Sequence, residues 1–165
     1  MKIGIISDTH NRLSNTIFDI FEGVEAIIHA GDIGDIDIVT SLETIAPVYA
    51  VSGNTDGTDI CRKYPEWRLD RFKDLSFFTT HIFTTHPDAE SVKKMLQRTS
   101  TDSSPDVFIF GHTHRSFIDN IDGTLVINPG SFSEPRYQPQ PGVAFVEIDE
   151  TSGIKAWKHE VQVNY

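Results

Sequence analysis

The chain has 165 residues, 38% of them hydrophobic and 10% aromatic, enough for one domain over residues 1–165 with its own core. Its 14 basic and 24 acidic residues leave a formal charge of -10, which excludes a surface built to neutralise a phosphate backbone, so bulk nucleic acid is not an expected partner. Cys61 is single, which excludes an intramolecular disulfide; with no charged-then-apolar leader and no run near 18 apolar residues, a cytoplasmic protein with no membrane association is expected.

The first predicted strand, Ile3 to Ile6, is a nearly continuous apolar run of the kind buried on both faces, and it ends in Asp8 and His10. Residues two apart in an extended segment point the same way, so this carboxylate and imidazole can meet at one ion. A helix follows, capped by Ser14 or Asn15, with Ile17, Phe18 and Phe21 on one face and Gly23 as its stop. Ala26 to Ala30 is the second strand, ending in Gly31-Asp32. Asp35 or Asp37 caps a second helix with Ile38, Val39 and Leu42 on one side, closed by Pro47. The third strand, Val48 to Val51, runs into Gly53-Asn54-Thr55-Asp56, where Asp56 reads chiefly as a turn former.

In the segment from Asp59 to Lys73, Tyr64-Pro65 breaks any helix, and Trp67, Leu69 and Phe72 read as a strand that turns at Lys73-Asp74 into Leu75 to Thr80 and His81. Trp67 and Phe72 read as core or subunit contact rather than as groups that stack on a substrate. A helix from Pro87, with Asp88 near its start, carries Val92, Met95 and Leu96 as one stripe. After a polar loop over 99–105, Val107 to Phe110 is a further strand that ends in Gly111-His112-Thr113-His114. Leu125 to Ile127 leads into Asn128-Pro129-Gly130-Ser131, and a Pro- and Gln-rich surface loop covers 133–142. Val143 to Ile148 and Ile154 to Val163 alternate across a turn at 151–153 as an antiparallel hairpin. Alternating strands and helices followed by a hairpin predict an α/β protein with two stacked mixed β-sheets and helices outside.

The strand ends thus collect Asp8, His10, Asp32, Asn54, His81, His112 and His114. Carboxyl ends of strands are where ligands gather in open α/β sheets. Carboxylate, amide and imidazole together suit divalent manganese, nickel, iron, zinc or magnesium, and seven groups are a reasonable number for two ions about 3.5 to 4 Å apart. His29, one residue out of phase, reads as a packed or supporting group. His86, in Thr85-His86-Pro87, is the rival of His81, which is preferred because it ends the apolar run Leu75 to Thr80.

The ordered set Asp8-x-His10, Gly31-Asp32, Gly53-Asn54, a strand-end histidine and Gly111-His112-x-His114 resembles the calcineurin-like metallophosphoesterase superfamily, with its four-layer αββα sandwich, over residues 1 to about 150. The short length, Asn128-Pro129-Gly130-Ser131 and Pro135-Arg136 resemble its small YfcE-type phosphodiesterase branch. The resemblance implies that Asp8, His10, Asp32 and His114 hold one ion and that Asp32 as bridge, Asn54, His81 and His112 hold the other, with manganese the first choice. It implies hydrolysis of a small phosphodiester by a hydroxide on the dinuclear centre, with Asp32, Asn54 and His112 taking part and Arg136, or less directly Arg115, meeting a phosphoryl oxygen. Two positions depart from the family pattern. Thr55 stands where many members have His, which favours a leaving group that departs without a proton, and His81 is followed by Ile82 rather than Gly. A phosphomonoesterase with the same centre is the alternative enzyme; a protein-binding scaffold like the related Vps29 is the alternative of another class. A dimer or tetramer is expected by analogy with small members.

Overall fold

The run Lys2–Ile6 (β1) alternates its side chains between two apolar environments, and that alternation sets the layers of the molecule. Ile3 and Ile5 point to one side of their sheet, where they meet Ile28, Phe77, Val107, Ile109 and Ile127; Ile6 points to the other, among Ile17, Phe21, Ile27 and Leu42. The structure is a computed structural model that describes residues 1–99, 101, 104–136, 140–151 and 153–162. Its elements after β1 are α1 (Thr16–Ile20), β2 (Ala26–His29), α2 (Ile36–Glu43), β3 (Val48–Ala50), α3 (Thr58–Lys63), β4 (Trp67–Phe72), β5 (Leu75–Thr80), α4 (Ala89–Arg98), β6 (Val107–Ile109), β7 (Phe117–Ile121), β8 (Thr124–Asn128), β9 (Gly142–Asp149) and β10 (Gly153–Glu160).

Among the described residues the strands form two five-stranded mixed sheets, β10-β9-β1-β2-β3 and β4-β5-β6-β8-β7. In the first, β1, β2 and β3 are parallel while β9 and β10 run antiparallel to their neighbours. In the second, β5, β6 and β8 are parallel and the edge strands β4 and β7 are antiparallel. One buried cluster fills the space between the sheets; a second lies under α1, α2 and α3, and a third, built on Phe78, Phe108 and Phe110, lies under α4. These layers are the two-sheet sandwich with outer helices that the alternation of elements predicts. No helix among the described residues is long and apolar enough to cross a membrane.

Several local expectations differ from the structure. Ile17 and Phe21 are buried but Phe18 is 38% exposed, because only an i, i+4 pair fits under a helix of five residues. Helix α3 has too few residues to display a period, and Tyr64-Pro65 ends it. Strand β7 carries Asp119 and Asn120, poor strand formers, and its signal is the Asp122-Gly123 hairpin turn, with φ of 49° and 87°. Trp67 is 38% exposed while Phe72 is buried. The expected strand end at Val163, the turn residue Ser152 and part of the loops at 99–105 and 133–142 lie outside the described residues. Asp35 and Asp88 cap α2 and α4, the latter in a reciprocal capping box with Ser91.

Ile28 is fully buried between the sheets. Truncation of Ile28 to Ala is expected to cost about 3 kcal/mol of folding stability through lost burial and a residual cavity, read as a lower urea midpoint at unchanged m-value.

Candidate metal centre

The carboxyl ends of β1, β2, β5 and β6 lie side by side, because β1 and β2 are parallel in one sheet and β5 and β6 in the other. Each of these strands stops in a turn that carries a charged or imidazole side chain. Asp8, His10, Asp32, His112 and His114 all adopt positive φ, between 44° and 66°. This region costs a non-glycine residue about 1 kcal/mol or more, and so many such residues at one end of a sandwich mark a site where the backbone is bent to aim side chains.

Among the described residues two groups of ligand-type atoms result, Asp8 with His10 and His114, and Asp8 with Asp32 and His81; within each, the atoms lie within 4.8 Å of one another. The groups share Asp8. Asp32 also reaches both, since its Oδ2 lies 3.8 Å from His10 Nε2 and 3.3 Å from His81 Nε2. His10 Nε2 and His114 Nε2 are 3.3 Å apart. The half-buried His112 ring stands edge-on to His81, with centroids 5.4 Å apart, and its backbone N–H donates to Asp8 Oδ2 at 3.2 Å. Asn54 is exposed and borders the same groove as His81. Arg136 is exposed; its backbone N–H donates to the His114 carbonyl at 3.4 Å, and its positive charge opposes protonation of that ring. His86 lies apart, exposed, with its Nδ1 2.9 Å from Thr85 Oγ1. Arg115 is exposed on the loop that follows His114.

The orientation of the rings decides what the site can hold. His81 Nδ1 donates to the Ala30 carbonyl at 2.7 Å, and His114 Nδ1 donates to the Glu134 carbonyl at 2.6 Å. In each ring the Nε2 lone pair is thereby turned onto a carboxylate oxygen, His81 onto Asp32 Oδ2 and His114, at 3.1 Å, onto Asp8 Oδ1. Lone pair then faces lone pair. His81 Nε2 and Asp8 Oδ1 are buried and without a hydrogen-bond partner in this tautomer, and a cation between nitrogen and oxygen removes the conflict. In the metal-free protein a proton can serve as that cation. Burial disfavours charge on both rings, yet the hydrogen bond and field of Asp32 hold His81 above the usual imidazole range, and Asp8 does the same for His114. Burial likewise pushes Asp32 up, but His81 and the Thr55 amide outweigh it and hold the carboxyl well below the usual range. His112 is lowered, first by burial and then by the charge of His81. A divalent ion can replace these protons, and the oxygen and imidazole donors suit borderline and hard divalent metals, so the residues fit the metals that the ligand pattern implies.

The supporting residues are largely those that pattern alone does not reveal. Ser7 Oγ donates to Asp8 Oδ2 at 2.6 Å, and Ser131 and Ser133 both donate to the Asp8 carbonyl, at 3.0 and 2.9 Å. Asn128 Nδ2 donates to the Gly111 carbonyl at 2.8 Å, fixing the turn before His112. Thr55 donates its backbone N–H to Asp32 Oδ1 at 2.9 Å, so at this departure from the family pattern the main chain supports the carboxylate. Asp56 does more than form a turn: its carboxylate accepts from Gly53 N–H and from Gly34 N–H, both at 2.7 Å, and so ties the loop after β3 to the loop after β2. His29, fully buried, lies 3.0 Å from Thr9 Oγ1; that hydroxyl donates to Ile33, so the imidazole Nε2–H is the donor between them. Burial pushes His29 down to about 3, which keeps it neutral. The glycines are steric. A Cβ on Gly31 would lie 2.6 Å from the His81 ring, and one on Gly111 would overlap Ser7 Oγ and stand 2.7 Å from the Ala30 carbonyl.

Gly111→Ala is therefore expected to displace Ser7 and Asp8 and to lower metal content at least tenfold, measured by elemental analysis after dialysis, with folding retained by circular dichroism. A second expectation concerns acid. An unfolded His29 takes up its proton near pH 6.5, while the folded one resists until about pH 3, so this residue removes stability as pH falls through that window, by about 1.4 kcal/mol per pH unit. His29→Gln, which keeps a donor toward Thr9, should show a shallower fall of its urea midpoint below pH 6.5 than the parent.

Comparison with known proteins assigns the geometry to a family. Residues 1–151 match the model of the calcineurin-like phosphoesterase superfamily domain. A probable metallophosphoesterase of Methanothermobacter thermautotrophicus is 36% identical over 155 residues, covering 90% of this chain and 87% of its own. A phosphodiesterase of Methanocaldococcus jannaschii is 37% identical over 143 residues, 79% of this chain and 83% of its own. Among solved structures, an archaeal phosphodiesterase superposes with a TM-score of 0.73 at 28% identity, covering 98% of this chain and 100% of that one. Wild-type Vps29 of Entamoeba histolytica, complexed with zinc, shares the fold with a TM-score of 0.74 at 19% identity, covering 97% and 99% of the two chains. The chain belongs to the calcineurin-like phosphoesterase superfamily.

Proposed function

We propose that the protein is a phosphodiesterase that hydrolyses a small phosphodiester with two divalent ions, manganese first among them. The observation that carries the reading is the buried, unpartnered pair Asp8 Oδ1 and His81 Nε2, each turned by its surroundings onto a second ligand-type atom in a chain of this superfamily. Asp8, His10, Asp32 and His114 would hold one ion, and Asp32 as bridge, Asn54, His81 and His112 the other, a reading supported by the reach of Asp32 to both His10 and His81 and by the two ligand-type groups that share Asp8. Bound ions supply a water of lowered pKa as nucleophile and positive charge for the phosphoryl oxygens. The chain's own residues fix the ligand rings through the Ala30 and Glu134 carbonyls, so little reorganisation is needed when the site fills. Arg136, exposed on the loop beside His114, would give a planar guanidinium to a non-bridging oxygen. The reaction adds water across one P–O ester bond and yields a monoester and an alcohol. Thr55 lies with its hydroxyl 3.5 Å from His10 Nδ1 and offers no strong acid, which favours an alcohol that leaves without a proton. The reading goes with a cytoplasmic protein and a small phosphorylated substrate.

A protein-binding scaffold is the second reading, because Vps29 shares the fold at a TM-score of 0.74. One assay separates them: metal-stripped protein is given bis(p-nitrophenyl) phosphate with and without manganese, with p-nitrophenyl phosphate as the monoester control. Metal-restored hydrolysis of the diester is the expected result; hydrolysis of the monoester alone makes the protein a phosphomonoesterase, and none with any divalent ion puts the scaffold first. Asp32→Asn should lose at least 100-fold in kcat/KM together with bound metal. Metal affinity should also fall with acidification, since the ion must displace protons from His81 and His114; a pH-stat titration of the metal-free protein with manganese should record their release.

A further inference from the structure

A groove of about 480 Å³ opens directly beside the candidate centre, sharing Asn54 and His81 with it. Its remaining walls include Trp67 on β4, Ile82 just after β5, and Met95 and Arg98 on α4. The volume is that of a site for a small organic molecule, and too small for a folded segment or a polymer. Its apolar lining is unusually open to solvent, since Trp67 is 38% and Ile82 52% exposed.

The indole of Trp67 is held in place. It stacks on Phe78 with centroids 5.7 Å apart and planes 17° apart, and fully buried Phe78 stacks in turn on Phe108 at 5.1 Å. This aromatic column reaches from the core under α4 to Trp67, a partly exposed lining residue of the groove, and a ring already held in place costs little entropy to use. Met95 adds a polarisable thioether, which favours aromatic rings, and Arg98 brings a guanidinium, which stacks on flat rings or meets their acceptor atoms. A purely aliphatic or polyol arm would gain contact area on the indole but not the offset stacking that two flat rings share.

We propose that this groove binds one ester arm of the substrate and that the arm carries a flat aromatic or heteroaromatic ring, stacked on Trp67 between Ile82 and Met95. The proposal rests on the phosphodiesterase reading for the position of the phosphate. It makes aryl or nucleoside esters, rather than alkyl or sugar-alcohol esters, the substrate class.

The test is isothermal titration calorimetry of the manganese-loaded full chain with two diesters of equal charge, methyl phenyl phosphate and dimethyl phosphate. The wild type is expected to bind the aryl diester about tenfold more tightly. Trp67→Ala should bring the ratio close to one and leave dimethyl phosphate binding unchanged, and Trp67→Phe should preserve the ratio. Should Trp67→Ala fail to fold by circular dichroism, Trp67→Leu, which keeps apolar bulk without a flat ring, carries the same comparison. A wild type with no aryl preference, a ratio indifferent to Trp67, or no binding of either diester overturns the proposal. Hydrolysis of bis(p-nitrophenyl) phosphate by the same preparations separates the two readings. A missing preference with hydrolysis intact removes the groove alone, whereas a Trp67-dependent preference without hydrolysis keeps the groove and removes the enzyme.

Discussion

Two imidazole nitrogens point their lone pairs at two carboxylate oxygens, and much of the rest of the structure exists to maintain that arrangement. Left without a cation, His81 Nε2 and Asp8 Oδ1 are buried polar atoms with nothing to bond, a state that costs more than an ordinary missing hydrogen bond because water cannot reach them. The fold imposes it by giving the other ring nitrogens a better offer: the carbonyls of Ala30 and Glu134 accept their N–H groups at 2.7 and 2.6 Å. Protons relieve the conflict when metal is absent, which is why His81 and His114 hold protons more tightly than free imidazole despite burial. The same arrangement is what suits these residues to a divalent ion.

Holding such an arrangement demands strain and close approach. Positive φ at Asp8, His10, Asp32, His112 and His114 turns each side chain across the strand ends instead of along them. The strain persists because the turns are held from several sides. Asp8 alone receives Ser7 and the His112 amide on its carboxylate and Ser131 and Ser133 on its carbonyl, while Asp56 joins the neighbouring loops. Gly31, Gly53 and Gly111 let the turns pack so closely that a side chain would overlap a ligand or its support. The two-sheet sandwich is the scaffold for this, since its parallel strands end at one level and its core between the sheets keeps them there.

A formal charge of -10 suits this chemistry better than it first suggests. Carboxylates at the strand ends favour cations, and on the proposed reading bound cations would in turn attract a phosphate that the bare protein would repel. Arg98 at the groove and Arg136 beside His114 add positive charge near the site in a chain that is otherwise acidic.

Much of this is written locally in the chain. Apolar runs that stop at Asp8, Asp32, His81 and His112 announce buried strands with ligands at their ends, because burial and ligation each leave a compositional mark within a few residues. Glycine precedes Asp32, Asn54 and His112 in the motifs, and Asp35 or Asp37 and Asp88 announce helix starts. The pattern also orders the elements well enough to give the sandwich. What tertiary structure decided are the relations between segments distant in sequence. Only the packing of β5 against β2 gives His81 the Ala30 carbonyl, and only the loop after β8 brings Glu134 to His114, so the tautomers that make the site a cation site could not be read from spacing. Asp56 looks like a turn residue until Gly34, far back in the chain, is seen on its other oxygen. Trp67 looks like core because an indole is large and apolar; its place on an edge strand leaves one part on Phe78 and the rest in the groove. Local physics set where each ligand stands, and contacts across the two sheets set which way it faces.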